Sequence, residues 1–245
     1  MKECTKSIAR RMSNPAFGLE FFVGDGVDIG GRPDPLSLHI HLFPKMRSVR
    51  VWDLEDGDAQ FMDGISEETF DFVHSSHCLE HLIDPLEGLK NWMRVTKGGG
   101  HVIVTVPDED MYEQGRFPSD FNKDHKHTFT ILKRRSWSKA SINVLDLVYA
   151  LGDEAELVAL NLLSTTFNYS LPRFDQTLTP VAECGIEFIL RKRDAHELKA
   201  FGRLGGNGGQ PAASIRTHLN QFKDDLQTLK KNNISNPPFE NEEFL

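Results

Sequence analysis

One run of residues constrains this chain more than any other: His101-Val102-Ile103-Val104-Thr105-Val106-Pro107. Its composition is that of a strand buried on both faces, and such strands belong to parallel sheets covered by helices. The preceding sequence must therefore supply neighbouring strands and the helices that cover them. Val27-Asp28-Ile29 reads as a short buried strand ending in the turn Gly30-Gly31. Asp34-Pro35 reads as a cap and first helical residue, with a helix through Leu36, Leu38, Ile40, Leu42 and Phe43. Ser48 to Asp53 alternates and is rich in β-formers, so it is a second strand ending at an acid. The acidic, turn-rich stretch from Glu55 to Glu68 leads to a third strand, Thr69 to His74.

Asp84-Pro85-Leu86-Glu87 is a helix start, with Asp84 capping and Glu87 placed to close a capping box. Leu86, Leu89, Trp92, Met93 and Val95 give that helix an apolar stripe, and Gly98-Gly99-Gly100 reads as its stop. The alternation of strands and helices predicts an α/β fold with a mostly parallel sheet. Ala155–Leu160 and Gly185–Leu190 read as late strands, an antiparallel pair at one edge. Gly202 to Ser214 has a linker's composition. Ile215, Leu219, Phe222, Leu226 and Leu229 then form a narrow apolar seam, suited either to docking on its own domain or to a homodimer contact. The expected organisation is a ligand-binding domain over 1–195, then a linker, an amphipathic helix and a loose tail over 196–245.

Bulk properties exclude several classes. No apolar run is long enough to span a bilayer, and the basic N-terminus lacks the apolar core of a secretory signal. Cys4, Cys78 and Cys184 are scattered and odd in number, which favours a reducing cytoplasm over a disulfide framework. A net charge of -8 without a basic face makes nucleic acid a poor partner.

Ligands of open parallel sheets bind beyond the carboxyl ends of the strands. Here those ends carry Asp28-Ile29-Gly30-Gly31, then Asp53, then Ser75-Ser76-His77. Glycines admit a ligand close to the backbone, and a carboxylate after the second strand can accept both hydroxyls of a ribose. The turn lacks G-x-G-x-x-G, and Pro33 removes a donor that a pyrophosphate would want, which argues against a nicotinamide cofactor. A cofactor with a ribose and a carboxylate but no phosphates fits better, and S-adenosylmethionine is such a molecule.

On VDIGG (27–31), Asp53, GDAQ (57–60), FDFVHSSHCLEHLIDP (70–85) and RVTKGGGHVIVTVPD (94–108), the chain resembles class I SAM-dependent methyltransferases. It is most similar to the small-molecule group that includes the UbiE and BioC types. The resemblance covers residues 20–110 and extends loosely over 145–193. It implies a Rossmann-like sheet with an antiparallel edge strand, S-adenosylmethionine as cofactor and a small-molecule acceptor. Asp28, Gly30 and Gly31 would line the methionine end. Asp53, with Leu54 beside it, would bind the ribose, Asp58, Ala59 and Gln60 would sit at the adenine, and Ser76 and His77 at the sulfonium. Arg32 stands where many members carry a further small residue, and Asp53 and Asp58 are so close that the helix and strand usually between these motifs are shortened or lost.

His77-Cys78-Leu79-Glu80-His81 also matches the H-x-x-E-H pattern of a zinc hydrolase. A zinc pair at that spacing needs a helix long enough to fix both rings, and a third ligand. Pro85 starts the next helix so soon that there is room for about one turn, and no metal is expected. Cys78, Leu79 and Leu82 would instead plug the sheet end, while Glu80 and His81 tie the turn to nearby backbone or to the cofactor pocket. The polar, aromatic loop from Asp108 to Asn122, with Tyr112, Arg116, Phe117 and Phe121, is where an acceptor site is expected. His125 and His127 after it, and His77, are candidate general bases for an acceptor hydroxyl. The expected reaction is methyl transfer to an oxygen, less favourably a nitrogen, of a polar metabolite such as a sugar. The rival readings are a zinc hydrolase and a non-catalytic SAM-binding module.

Overall fold

The structure, a computed structural model, describes residues 2–203 apart from Leu132. An N-terminal helix α1 (Glu3–Ser13) precedes β1 (Gly24–Ile29), β2 (Met46–Trp52) and β3 (Phe70–Ser76). Helix α2 (Pro85–Val95) follows, then β4 (Thr96–Pro107), the short strands β5 (Thr128–Thr130) and β6 (Ser141–Asn143), and α3 (Val144–Ala150). The chain continues with β7 (Ala155–Leu163), β8 (Gly185–Lys192) and α4 (Ala195–Ala200). Among the described residues the main sheet has six strands in the order β2-β1-β3-β4-β8-β7, and β5 pairs with β6. The first four strands are parallel, and β8 runs antiparallel to both β4 and β7. The expected late antiparallel pair is therefore present, at one edge.

β4 is buried on both faces as its composition requires. Val102, Val104 and Val106 pack with Leu89, Trp92 and Met93 of α2 on one side. Ile103 packs with Phe22, Phe72 and Ile8 of α1 on the other. Asp84 caps α2, its Oδ1 accepting from the N–H groups of Leu86 (3.0 Å) and Glu87 (3.1 Å). Glu87 does not close the capping box. The Asp84 N–H donates to Gln60 Oε1 at 2.9 Å instead, and Glu87 Oε1 accepts from Asn91.

Two further expectations are corrected. The segment after Asp34-Pro35 is a 3₁₀ helix, Leu36–Leu42, and Asp34 does not cap it. The Asp34 carboxylate is taken by the Thr5 N–H (2.7 Å) and hydroxyl (2.6 Å), and Asp28 Oδ2 accepts from the Leu36 N–H at 2.7 Å. Gly98-Gly99-Gly100 is not a helix stop, because the backbone is already extended at Thr96 and the three glycines lie within β4. Helix α1 was not foreseen, since its buried face is made of Cys4, Ser7, Ile8 and Arg11 rather than an apolar stripe. Between β2 and β3 the chain makes turns without helix or strand, consistent with the shortened spacing of Asp53 and Asp58. Among the described residues, no helix is long and apolar enough to cross a membrane. The apolar seam from Ile215 to Leu229 and most of the Gly202–Ser214 linker lie outside the described residues.

Candidate active site

The carboxyl ends of β1, β2 and β3 converge as the sequence implies. At the end of β1, Gly30 has φ of 70°, and a Cβ there would stand 2.8 Å from the Cys78 Cβ. A Cβ on Gly31 would stand 2.4 Å from Asp28 Oδ2. The turn thus admits no side chain at either position. Both oxygens of buried Asp28 are engaged: Oδ2 by the Leu36 N–H, and Oδ1 by His74 Nδ1 at 2.6 Å. His74 Nε2 lies 2.9 Å from the Arg11 guanidinium, which in turn pairs with Glu187. Asp28 therefore anchors the turn through a buried chain of polar groups that reaches back to α1.

At the end of β2, Asp53 accepts from the N–H groups of Leu54 (2.8 Å) and Arg32 (3.0 Å). Asp58 Oδ1 accepts from the Gln60 N–H, and the Ala59 carbonyl takes the Trp92 indole N–H at 2.8 Å. Asp53, Asp58, Leu54 and Ala59 line one cleft of about 790 Å³, together with Trp52, Gly30 and His81. Leu54 forms its rim, being 94% exposed.

At the end of β3, Ser76 leads into His77, which has φ of 57° and Nδ1 3.0 Å from Ser76 Oγ. A non-glycine residue in this left-handed region stores strain, and such strain concentrates at functional sites. His77 Nε2 is buried without a hydrogen-bond partner. Burial, aided by the positive charges of Lys6 and Arg11, pushes the imidazole down to about 3. That makes His77 a weak proton acceptor at neutral pH. HCLEH forms a single 3₁₀ turn, Leu79–His81, with Leu79 and Leu82 plugging the sheet end as expected.

The second histidine cluster docks on this turn. The N–H groups of Lys126 (2.9 Å) and His127 (3.3 Å) both donate to the Glu80 carbonyl. This brings buried His125 against the Glu80 side chain, with His125 Nε2 3.9 Å from Glu80 Oε1. His81 Nε2 lies 4.0 Å from the same oxygen. The His125 Nδ1–H donates to Glu113 at 2.8 Å, and the His81 Nδ1–H to the Asp124 carbonyl at 3.2 Å. Glu80 is fully buried with both oxygens unpartnered, and burial raises its carboxyl to about 7. Tyr112 meets the Phe121 ring edge-on and lies tilted against the His125 ring.

A smaller cavity of about 170 Å³ lies beside the cleft, and Gly30, His77, His81 and His125 line both. Asp28, Gly31, Ser76, Glu80 and Tyr112 line the smaller one, with Glu3 and Cys4 of α1. All the predicted cofactor residues but Gln60 thus border one or both spaces, and so do His77 and His125. His127 does not: its Nε2–H donates to the Ile83 carbonyl at 3.2 Å, outside both linings. Arg116 also lies outside, facing Asp120 at 3.5 Å. Sequence reasoning missed Glu113 as the partner of His125 and α1 as a wall of the cavity. Neither has a local signature, since both arise from tertiary contact.

The profile of a family described as a methyltransferase domain matches residues 12–143, more than half of the chain. The chain belongs to this family. It is a class I SAM-dependent methyltransferase, and its cofactor is S-adenosylmethionine. Among solved structures, the methyltransferase is similar to a chain from a complex of the Haloferax volcanii Trm112 methyltransferase activator. The identity is 10%, over 77% of this chain and 90% of that one, with a TM-score of 0.51. It is also similar to a SAM-dependent methyltransferase from Archaeoglobus fulgidus at 15% identity, over 78% and 95% of the two chains, with a TM-score of 0.46. No curated protein matches the sequence. The methyltransferase's cleft meets the demands of its cofactor. It has the volume of a small-molecule site, a half-buried carboxylate at Asp53, Trp52 in its lining, and a close backbone turn at Gly30 that leaves no room for a Cβ.

Proposed function

We propose that the methyltransferase transfers a methyl group to an oxygen of a small polar acceptor, of the class of sugars and glycan-related metabolites. The cleft holds the adenosine, with Asp53 on the ribose, Asp58 and Ala59 at the adenine and Leu54 over the rim. Gly30 and Gly31 pass beneath the methionyl end, which Asp28 supports by fixing the turn. Ser76, His77 and His81 border the point where the two spaces meet. When bound, the cofactor supplies an electrophilic methyl with a good leaving group, so the protein's work is orientation, water exclusion and proton management.

The observation that carries the oxygen acceptor is the wall of the smaller cavity formed by His125 and Glu80. An amine acceptor needs only to be bound neutral, whereas a hydroxyl must also lose a proton. With the His125 Nδ1–H held by Glu113, Nε2 presents its lone pair towards the unpartnered Glu80 carboxylate. A hydroxyl seated there meets two proton-accepting groups in a buried setting. His127 has no part in this site.

Calorimetric titration with S-adenosylhomocysteine tests the cofactor assignment. Micromolar binding by wild type, weakened at least tenfold (about 1.4 kcal/mol) in Asp53→Ala, supports it; no binding by wild type overturns it, and equal binding by both proteins overturns the role of Asp53. Isotope-labelled methyl transfer to a panel of sugars and amines, with the product's methylated atom assigned by mass spectrometry, tests the acceptor. Methyl on nitrogen would refute the oxygen reading.

A further inference from the structure

The Glu80 carboxylate is the most anomalous group in the described structure. It is completely buried, and neither oxygen has a hydrogen-bond partner. A buried carboxylate in that state carries a large desolvation penalty unless a cation or a proton meets it. The groups around it are not placed to meet it directly, since the Nε2 atoms of His81 and His125 stop 4.0 Å and 3.9 Å away, beyond hydrogen-bond reach. They are placed to share something with it. One potential ligand atom from each of the three residues lies within 4.8 Å of the other two. Two ligands of a tetrahedral ion at about 2.0–2.2 Å each stand about 3.3–3.6 Å apart, so the 3.9 and 4.0 Å separations close to coordination distance with an inward movement of about half an ångström.

The surroundings match a ligand set rather than a chance cluster. Metal-bound histidines almost always donate the other ring N–H to a carboxylate or backbone carbonyl, which fixes the tautomer and aims the lone pair. Both histidines do so here, His125 to Glu113 and His81 to the Asp124 carbonyl. The two backbone bonds from 126 and 127 to the Glu80 carbonyl clamp the segment carrying His125 onto the turn carrying the other two groups.

We propose that Glu80, His81 and His125 form a binding site for a single divalent transition-metal ion of the zinc class, open towards the acceptor cavity. Two imidazoles and one carboxylate suit zinc with a free position. His81 and His125 border both the cleft and the cavity. An oxygen donor from the cavity, a water or an acceptor hydroxyl, completes the coordination. With the ion bound, His125 and Glu80 serve as its ligands, and the ion would lower the pKa of the acceptor hydroxyl so that its proton is lost to solvent water. The site takes Glu80 and His81 from the H-x-x-E-H stretch but replaces His77 with His125, so it is not the helical pair of a peptidase. Metal binding does not depend on the methyl-acceptor assignment.

The test uses the untagged full chain, stripped with chelator and titrated with zinc by calorimetry, with cobalt substitution followed by visible absorption. Expected are one zinc per chain in the micromolar range or tighter, and cobalt ligand-field bands. His81→Gln and Glu80→Gln should each weaken zinc at least a hundredfold, and Glu113→Gln ten- to a hundredfold, as for other outer partners of a metal site. His41→Gln, exposed on the 3₁₀ helix before β2, serves as control and should bind as wild type. Because Glu80→Gln alters a buried group, the half-exposed His81 variant is decisive if the former fails to fold. Absence of stoichiometric zinc in wild type, or equal zinc affinity in His81→Gln and wild type, overturns the proposal. S-adenosylhomocysteine titration of the same samples keeps this outcome separate from that of the cofactor assignment.

Discussion

Arg11 offers the sharpest test of how the fold supports the site. It is 1% exposed and lies against Glu187, which is 0% exposed, with Nη2 and Nε 2.9 and 3.1 Å from Glu187 Oε2. It also touches His74, and its guanidinium packs 5.6 Å from the ring centres of Phe17 and Phe22. Arg11→Met keeps the aliphatic bulk and removes the charge. Breaking a buried pair by removing one partner costs about 3–5 kcal/mol. Glu187 would keep Arg10, whose Nη1 is 2.6 Å from Oε1, which places the loss near the lower end. With a urea m-value of about 2 kcal/mol/M, a loss of about 3 kcal/mol lowers the unfolding midpoint by about 1.5 M. The double variant Arg11→Met/Glu187→Met should recover much of that loss, because no unpaired charge then stays buried.

The pH dependence has a definite sign. Burial alone would raise the Glu187 carboxyl, but Arg11 and Arg10 outweigh it and hold the group below its ordinary 4.5. A depressed carboxyl contributes stability that is fully present above the unfolded-state value and lost as pH falls through the folded one. The advantage of wild type over Arg11→Met should therefore be full above pH 4.5 and shrink on further acidification. A midpoint shift corresponding to less than about 1 kcal/mol, near the median of an exposed ion pair, or a pH-independent difference, would refute the reasoning.

Two further expectations follow from local geometry. Gly31→Ala forces a methyl group against the Asp28 carboxylate, 2.4 Å away, and should weaken S-adenosylhomocysteine binding at least tenfold by calorimetry; unchanged affinity would show that the turn yields easily. Asp84→Ala removes the acceptor for two N–H groups at the start of α2 and should destabilise the chain by about 1 kcal/mol in chemical denaturation, while leaving cofactor affinity unchanged.

Much of the site was legible because local chemistry wrote it. A glycine pair after a buried strand, an acid after the next, and a capped helix after the third each follow from short-range rules, and each lies where those rules put it. The errors have a common form. Asp34 and Asp28 are both acids near a helix start, and the sequence offers Asp34 as the cap. The structure gives the cap to Asp28, because Asp34 is claimed by Thr5 of α1. His125 and His127 are equivalent on paper. In the fold, one imidazole is drawn between Glu113 and Glu80 and the other is turned onto the Ile83 carbonyl.

The sequence by itself determined the parallel sheet, its antiparallel edge, the family and the cofactor. Alternation, capping and turn chemistry act over a few residues, and a motif's spacing records them. Only the tertiary structure decided which polar groups meet. Arg11 finds Glu187 across 176 positions, and His125 reaches the Glu80 turn through backbone bonds made by its neighbours. Such pairings depend on where the chain returns in space, and a buried charge must have a partner wherever the chain can bring one. In the sequence Glu80 belongs to an H-x-x-E-H stretch whose spacing speaks against a helical zinc pair, and nothing there pairs it with His125. Its burial, without a partner of its own, is what singles out the proposed metal site.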